Sequence, residues 1–138
     1  MFYIVAVFII IAVSMQVFSI RKIEEVYRKT NGVIRTRQDL LAVKEPINLS
    51  MKLAILYIGL FILFIIILAV SFMQGTPLSH VALSLFVFGI VTLPVGLIGK
   101  QYEKKIKSMQ VQSDDPEIAK KFEQYLVQWN EPRFQLPD

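Results

Sequence analysis

Apolar side chains fill three long stretches of the chain, and shorter polar segments separate them. The stretches cover residues 1–20, 53–73 and 78–99, and residues 60–70 contain no polar side chain. An α-helix rises about 1.5 Å per residue, so each stretch is long enough to cross a bilayer core about 30 Å thick. The pattern therefore predicts three transmembrane helices, with the second and third joined by a turn at residues 74–77.

The segment between the first two apolar stretches, residues 21–52, alternates apolar and charged positions. Its first part, RKIEEVYRK, continues the helical pattern of the first stretch as far as TNG at 30–32, where asparagine and glycine tolerate a left-handed turn. Thr36 and Asp39 have the spacing of a helix-capping pair, and Pro46 is expected to end the short helix that they begin. The sequence predicts a loop with short helices, arranged as a helical hairpin.

The third polar segment, residues 100–138, contains a helix of about 116–129. Asp115 is a good N-cap, Pro116 suits the first helical position, and Pro132 forbids continuation past Asn130. Five apolar residues recur at spacings of 4, 3, 1 and 3, which places them on one stripe of an amphipathic helix. They are Ile118, Phe122, Tyr125, Leu126 and Trp129.

This stripe has to be covered, because each large apolar side chain contributes about 1.5–3 kcal/mol when it is buried. The membrane surface, residues 21–50 of the same chain, or another protein could cover it. Its aromatic content favours another protein, since tryptophan and tyrosine are typical interface anchors. The closing EPRFQLPD is expected to run as an extended segment along the same surface. The predicted docking residues are Ile118, Phe122, Tyr125, Leu126, Trp129, Arg133 and Phe134.

Charge fixes the expected orientation. All fifteen lysine and arginine residues lie in residues 21–52 and 100–138, and the turn at 74–77 has none. Because basic segments stay in the cytoplasm, we expect an all-α integral protein of the cell (inner) membrane, with its N-terminus outside, the 74–77 turn external, and a cytoplasmic C-terminus. Basic residues beside the spans are expected at anionic lipid headgroups: Arg21, Lys22, Lys100, Lys104, Lys105 and Lys107.

The spans themselves carry no Asp, Glu, Lys or Arg, and the chain has no cysteine. A charged path for ions or protons is therefore absent from the predicted spans, and His80 at the outer boundary lacks the neighbours of a metal site. The sequence predicts no catalytic residue, metal or cofactor. Polar and small residues in the spans are expected to pack helices together, namely Gln16, Gly89, Thr92, Pro94 and Gly96.

These observations favour a non-catalytic accessory or scaffolding subunit of a larger membrane complex, which docks through its C-terminal helix. Its expected partners are other membrane protein subunits and anionic headgroups, with homo-oligomers also possible. Nucleic acid is not expected, because the net charge of +4 is modest and is not clustered on a soluble face. A homo-oligomeric pore is the alternative, since the topology resembles that of three-span bacteriophage holins.

Overall fold

The computed structural model describes residues 1–136, which form four α-helices and two short strands. In chain order these are α1 (Phe2–Thr30), β1 (Val33–Ile34), α2 (Arg37–Met73), α3 (Leu78–Lys107), β2 (Gln110–Val111) and α4 (Pro116–Trp129). Helices α1, α2 and α3 are long and apolar enough to cross a membrane, which confirms the three predicted apolar helices. Pro137 and Asp138, the end of the predicted closing segment, lie outside the described residues.

The ends of α1 and α3 are tied together by the two strands. β1 follows α1, β2 follows α3, and they pair in parallel with Val33 opposite Gln110 and Ile34 opposite Val111. The basic ends of these helices therefore lie side by side, and α2 begins at the same end. We refer to residues 21–52 and 100–136 as the polar module, and it contains all fifteen lysine and arginine residues.

Three phenylalanines pack the apolar parts of the helices together. Phe64 of α2 is fully buried, with its ring centroid 5.1 Å from that of Phe8 on α1 and 4.8 Å from that of Phe88 on α3. Helix α1 packs along both other long helices, whereas α2 and α3 share a smaller contact. Most of the remaining apolar surface is exposed in the isolated chain, as a lipid-facing surface requires.

Helix α1 ends where the sequence predicts. Asn31 has φ 53° and Gly32 has φ 73°, and the Gly32 N–H donates to the Tyr27 carbonyl at 3.1 Å. A Cβ at Gly32 would lie 2.9 Å from the Tyr27 hydroxyl. Two features therefore favour glycine at position 32: the left-handed backbone conformation and the close approach of the Tyr27 side chain.

Helix α2 begins with the predicted capping pair. The Asp39 N–H donates to Thr36 Oγ1 at 3.2 Å, and Asp39 Oδ2 accepts from the Thr36 N–H at 3.1 Å, so the pair forms a capping box.

The expected end of this helix at Pro46 is wrong, because α2 continues from Arg37 to Met73 with Pro46 inside it. The helix therefore takes up residues 37–52, the second half of the predicted 21–52 loop. Proline removes one helical hydrogen bond, but Pro46 is buried and lies between the fully buried Val43 and Ile47. Packing on both sides therefore holds the two halves of α2 in one helix.

The polar module has its own hydrophobic core, separate from the phenylalanine cluster. Its four helices and β1 contribute buried apolar side chains, including Ile34 from β1, and Leu136 adds one from the end of the described chain, whereas Val111 of β2 is partly buried against this core. The other core residues are Ile23 and Val26 from α1, Leu40, Val43, Ile47 and Met51 from α2, Ile106 of α3, Met109, and Ile118, Phe122, Tyr125 and Trp129 from α4.

Candidate functional site

Helix α4 is positioned by strong signals at its start. Asp115 Oδ1 accepts from the Glu117 N–H at 2.9 Å, and Pro116 occupies the first turn. The acidic Glu117 in that turn also complements the positive end of the helix. Local sequence therefore fixes where α4 begins, and its packing depends on the rest of the chain.

The apolar stripe of α4 is covered by the protein itself. Ile118, Phe122, Tyr125 and Trp129 are buried in the core of the polar module, and Leu126 is partly buried against it. Of the three covers that the sequence left open, the structure shows residues 21–50 of the same chain, joined by α3. The stripe is thus not a free docking surface, because packing of α4 on α2 within this core already buries four of its five side chains and part of Leu126.

In α4 and the segment that follows it, a few side chains remain exposed. Val127 on the outer face of α4 keeps 67% of its surface, and Phe134 keeps 60%. Arg133 Nε lies 2.6 Å from Glu131 Oε2. These residues, unlike the stripe, can contact another protein without unfolding any part of the module.

The closing segment returns to α2. The Leu136 N–H donates to Asn48 Oδ1 at 2.6 Å, and only 2% of the Leu136 surface is exposed. The described part of the segment thus lies along the module.

The six lysines and arginines predicted at the headgroups separate into two groups. Lys105 Nζ lies 4.5 Å from the Tyr102 ring centroid and Lys107 Nζ lies 5.2 Å from that of Trp129. Helix α3 continues past Gly99 to Lys107, which is about 12 Å farther along the helix axis, a length greater than a headgroup layer of about 5–8 Å. The structure favours aromatic contacts for Lys105 and Lys107.

The other four basic residues lie nearer the apolar ends of the helices. Arg21, Lys100 and Lys104 are exposed. Lys22 lies 3.9 Å from Glu45 Oε1 and 4.0 Å from Glu25 Oε2, so it joins α1 to α2 through an exposed ion pair. Such pairs contribute little to stability, and a headgroup phosphate could compete for this ammonium.

One exposed pair has shifted pKa values. Lys29 Nζ donates to Glu25 Oε1 at 2.8 Å in the part of α1 beyond its apolar stretch. This hydrogen bond and the attraction of the opposite charge lower the pKa of the Glu25 carboxyl and raise the pKa of Lys29. The pair is exposed to solvent, and its i, i+4 spacing is that of an ion pair that stabilises the helix carrying it.

Gln16 contacts α3 at a glycine that the sequence analysis did not select. A Cβ at Gly99 would lie 2.8 Å from Gln16 Oε1, so this amide fills the space left by the missing side chain. By contrast, a Cβ at Gly89 or Gly96 would meet no heavy atom within 4 Å. Gln16 therefore sits between helices, as a packing residue should, whereas these two glycines face open space.

The other predicted packing residues act within α3. Thr92 Oγ1 donates to the Phe88 carbonyl at 2.8 Å, one turn earlier in the same helix. Pro94 lies inside α3, which continues to Lys107. Neither residue makes a polar bridge to another helix among the contacts that the structure describes.

Two cavities meet at Gln16 and Tyr57. The smaller, about 60 Å³, is lined by polar groups from all three long helices, including Ser19, Ser50 and Glu103, and Ser50 Oγ donates to Glu103 Oε1 at 3.3 Å. The larger, about 220 Å³, is a groove that runs toward Lys100. His80 lies far from both, in a third groove of about 360 Å³ beside the N-terminus.

Sequence reasoning missed Ser19, Ser50 and Glu103 as a group. Ser19 and Ser50 are buried, and Glu103 is half-buried between the same helices. A signal was present in the sequence, since all three lie within one or two turns of a predicted span boundary. Their meeting depends on the relative heights of the helices, which no local pattern gives.

No family model, curated protein or solved structure shows a significant match to this chain. Within residues 1–136, no group of three or more His, Cys, Asp or Glu residues could hold a metal ion. The surfaces and cavities described above are therefore the basis for any functional proposal.

Proposed function

We propose that this protein is a non-catalytic accessory or scaffolding subunit of a larger membrane complex. Its three long helices anchor it, and the polar module faces the cytoplasm at the inner surface of the cell membrane. The orientation is supported by the position of every lysine and arginine in the polar module.

The observation that carries the proposal is the exposure of two large apolar side chains in α4 and the segment that follows it, outside the core of the polar module. The stripe of α4 is buried, but Val127 and Phe134 are mostly exposed. Phenylalanine and arginine are enriched at protein–protein interfaces relative to the rest of the surface. Arg133 lies beside Phe134 in sequence and is half exposed, which supplies a polar group at the rim of such a contact.

The docking surface of the proposal therefore consists of Val127, Arg133 and Phe134. It differs from the stripe that the sequence favoured, because a partner can reach it while α4 stays packed on α2. Docking still uses the C-terminal helix and the segment that follows it.

Purification from the native membrane in mild detergent tests this proposal. We expect the tagged full chain to bring down another membrane protein in a fixed ratio, and the variants Val127→Ser and Phe134→Ser to reduce that ratio. Leu41→Ala is the matched control, because Leu41 is also a large exposed residue of the polar module, at 55%. A wild-type chain that elutes alone, or equal loss in all three variants, would contradict the proposal.

A homo-oligomeric pore is the alternative, and it makes a different prediction. Phe64 is fully buried between Phe8 and Phe88, so one copy is packed along its centre and a pore would need several copies. Release of a trapped dye from vesicles that contain the purified chain alone would favour the pore. Intact vesicles would favour the subunit.

A further inference from the structure

A groove of about 220 Å³ opens on the side of the helix bundle at its basic end. It lies between α1 and α3, with Tyr57 of α2 at its back. Along α3 it extends from Thr92 to Lys100, which is about 12 Å at 1.5 Å per residue. One leaflet of a bilayer core is about 15 Å deep, so the groove follows most of the depth of one leaflet.

The shape of the groove depends on Gly96. A Cβ at this position would meet no heavy atom within 4 Å, whereas one turn later Gly99 is in contact with Gln16. The bundle is thus open beside Gly96 and closed beside Gly99. A long flexible chain could lie in the open part, parallel to the helices. A helix, which is about 10 Å across, would rest on this groove without entering it.

The chemistry of the lining changes along its length. Ala12, Val13, Leu93 and Leu97 give it apolar walls, and Lys100 is the charged residue among those that line it. The nearby Glu103 lines the separate 60 Å³ cavity, where it accepts the hydrogen bond of Ser50. An apolar trough that ends in an ammonium without an ion pair among residues 1–136, at the level where α3 leaves the apolar stretch, is complementary to an anionic lipid.

We propose that this groove binds an anionic phospholipid of the membrane, with one acyl chain beside Gly96 and the phosphate paired with Lys100. The length of the groove matches a leaflet, its walls match hydrocarbon, and its one charge matches the phosphate. This inference is independent of the proposed subunit role, because the groove and the Val127, Arg133 and Phe134 surface share no residue.

Native mass spectrometry of the purified full chain provides the test, with phosphatidylglycerol and phosphatidylcholine as the added lipids. We expect wild type to retain one phosphatidylglycerol in preference to phosphatidylcholine. Gly96→Leu fills the groove and should abolish retention of either lipid. Gly89→Leu is the matched control, because Gly89 also faces open space on α3 but does not line the groove.

A second pair of variants separates the headgroup from the acyl chain. Lys100→Gln should lower the preference for phosphatidylglycerol about fivefold, the effect expected for one lysine at a membrane surface, and should lower phosphatidylcholine retention less, because that headgroup has no net charge. Lys104→Gln removes the same charge one turn farther along α3, outside the groove lining, and should change the preference less.

Three results would overturn the proposal. Equal retention of both lipids by wild type would exclude recognition of the net negative charge of the headgroup. Unchanged retention by Gly96→Leu would place the lipid elsewhere. A second copy of the chain, bound in wild type and lost in Gly96→Leu with no lipid retained, would assign the groove to self-association. If Gly96→Leu does not fold, Val13→Phe narrows the same groove from α1, and the same outcomes apply to it.

Discussion

Leu136 and Asn48 are 88 positions apart in the chain and are joined by a hydrogen bond of 2.6 Å. The Leu136 N–H donates to the Asn48 Oδ1, one turn of α2 before Lys52, and the leucine side chain is buried in the core. This contact makes the end of the described chain part of the polar module.

Replacing Asn48 with Ala should release the closing segment. The substitution leaves the Leu136 N–H without its acceptor in a half-buried site, and such a loss costs about 1–3 kcal/mol. We expect faster hydrogen exchange at residues 131–136 and little change in the apolar parts of the helices. Asn130→Ala is the control, because Asn130 is an exposed residue near the same segment. Equal exchange in wild type and Asn48→Ala would contradict the role of this bond.

The packing of α4 on its own chain can be tested through the fluorescence of the single tryptophan. Phe122 and Trp129 lie in the same buried cluster, and Trp129 is the only tryptophan in the sequence. Phe122→Ala should destabilise the module by about 3–5 kcal/mol. It should also shift Trp129 emission to longer wavelength as water reaches the ring.

The control for this prediction is Glu123→Ala, which changes the exposed neighbour of Phe122 on the same helix. Both variants are measured on the purified chain without any partner. If α4 were held by another protein instead of by α1, α2 and α3, Trp129 emission would already be that of an exposed ring in wild type, and Phe122→Ala would not shift it.

The features that the sequence predicted correctly are local ones. Apolar length gives the three long helices, and the Thr36 and Asp39 pair and the Asn31 turn are each set by a few adjacent residues. Asp115 also caps α4 as its spacing predicts. In each of these turns and caps, the atoms that make the contact belong to residues within five positions of one another.

The features that the sequence did not predict are non-local. The cover of the α4 stripe, the parallel pairing of Val33 with Gln110, and the Ser50 contact with Glu103 all join residues far apart in the chain. Pro46 is instructive because its local preference is to end a helix, yet burial against the module core keeps α2 continuous. Tertiary packing therefore outweighs the penalty of about 3 kcal/mol that proline imposes in the interior of an isolated helix.

Replacing Gly32 with any other residue should lower the stability of the polar module. The Gly32 φ of 73° is unfavourable for other residues, and the Tyr27 hydroxyl occupies the position 2.9 Å from a Cβ. We expect Gly32→Ala to lower the free energy of unfolding of the module by more than about 1 kcal/mol, seen as a lower thermal midpoint by Trp129 fluorescence. Gly59→Ala, in an open helical position, should be neutral or slightly stabilising. Equal midpoints for Gly32→Ala and wild type would show that this turn can rearrange.

Gln16 and Gly99 should be energetically coupled, because the amide oxygen of one occupies the Cβ position of the other. Gly99→Ala forces the Gln16 amide to move. Since that amide is the flexible end of its side chain, the cost should be near the lower limit for overpacking, about 1 kcal/mol. In a Gln16→Ala background the same change should cost little, so the double variant should lose less stability than the sum of the two single variants in a double-mutant cycle. Gly96→Ala, beside open space, should show no coupling to Gln16. Thermal unfolding in detergent measures all of these variants, and additive effects of Gln16→Ala and Gly99→Ala would show that the two helices do not meet at this point.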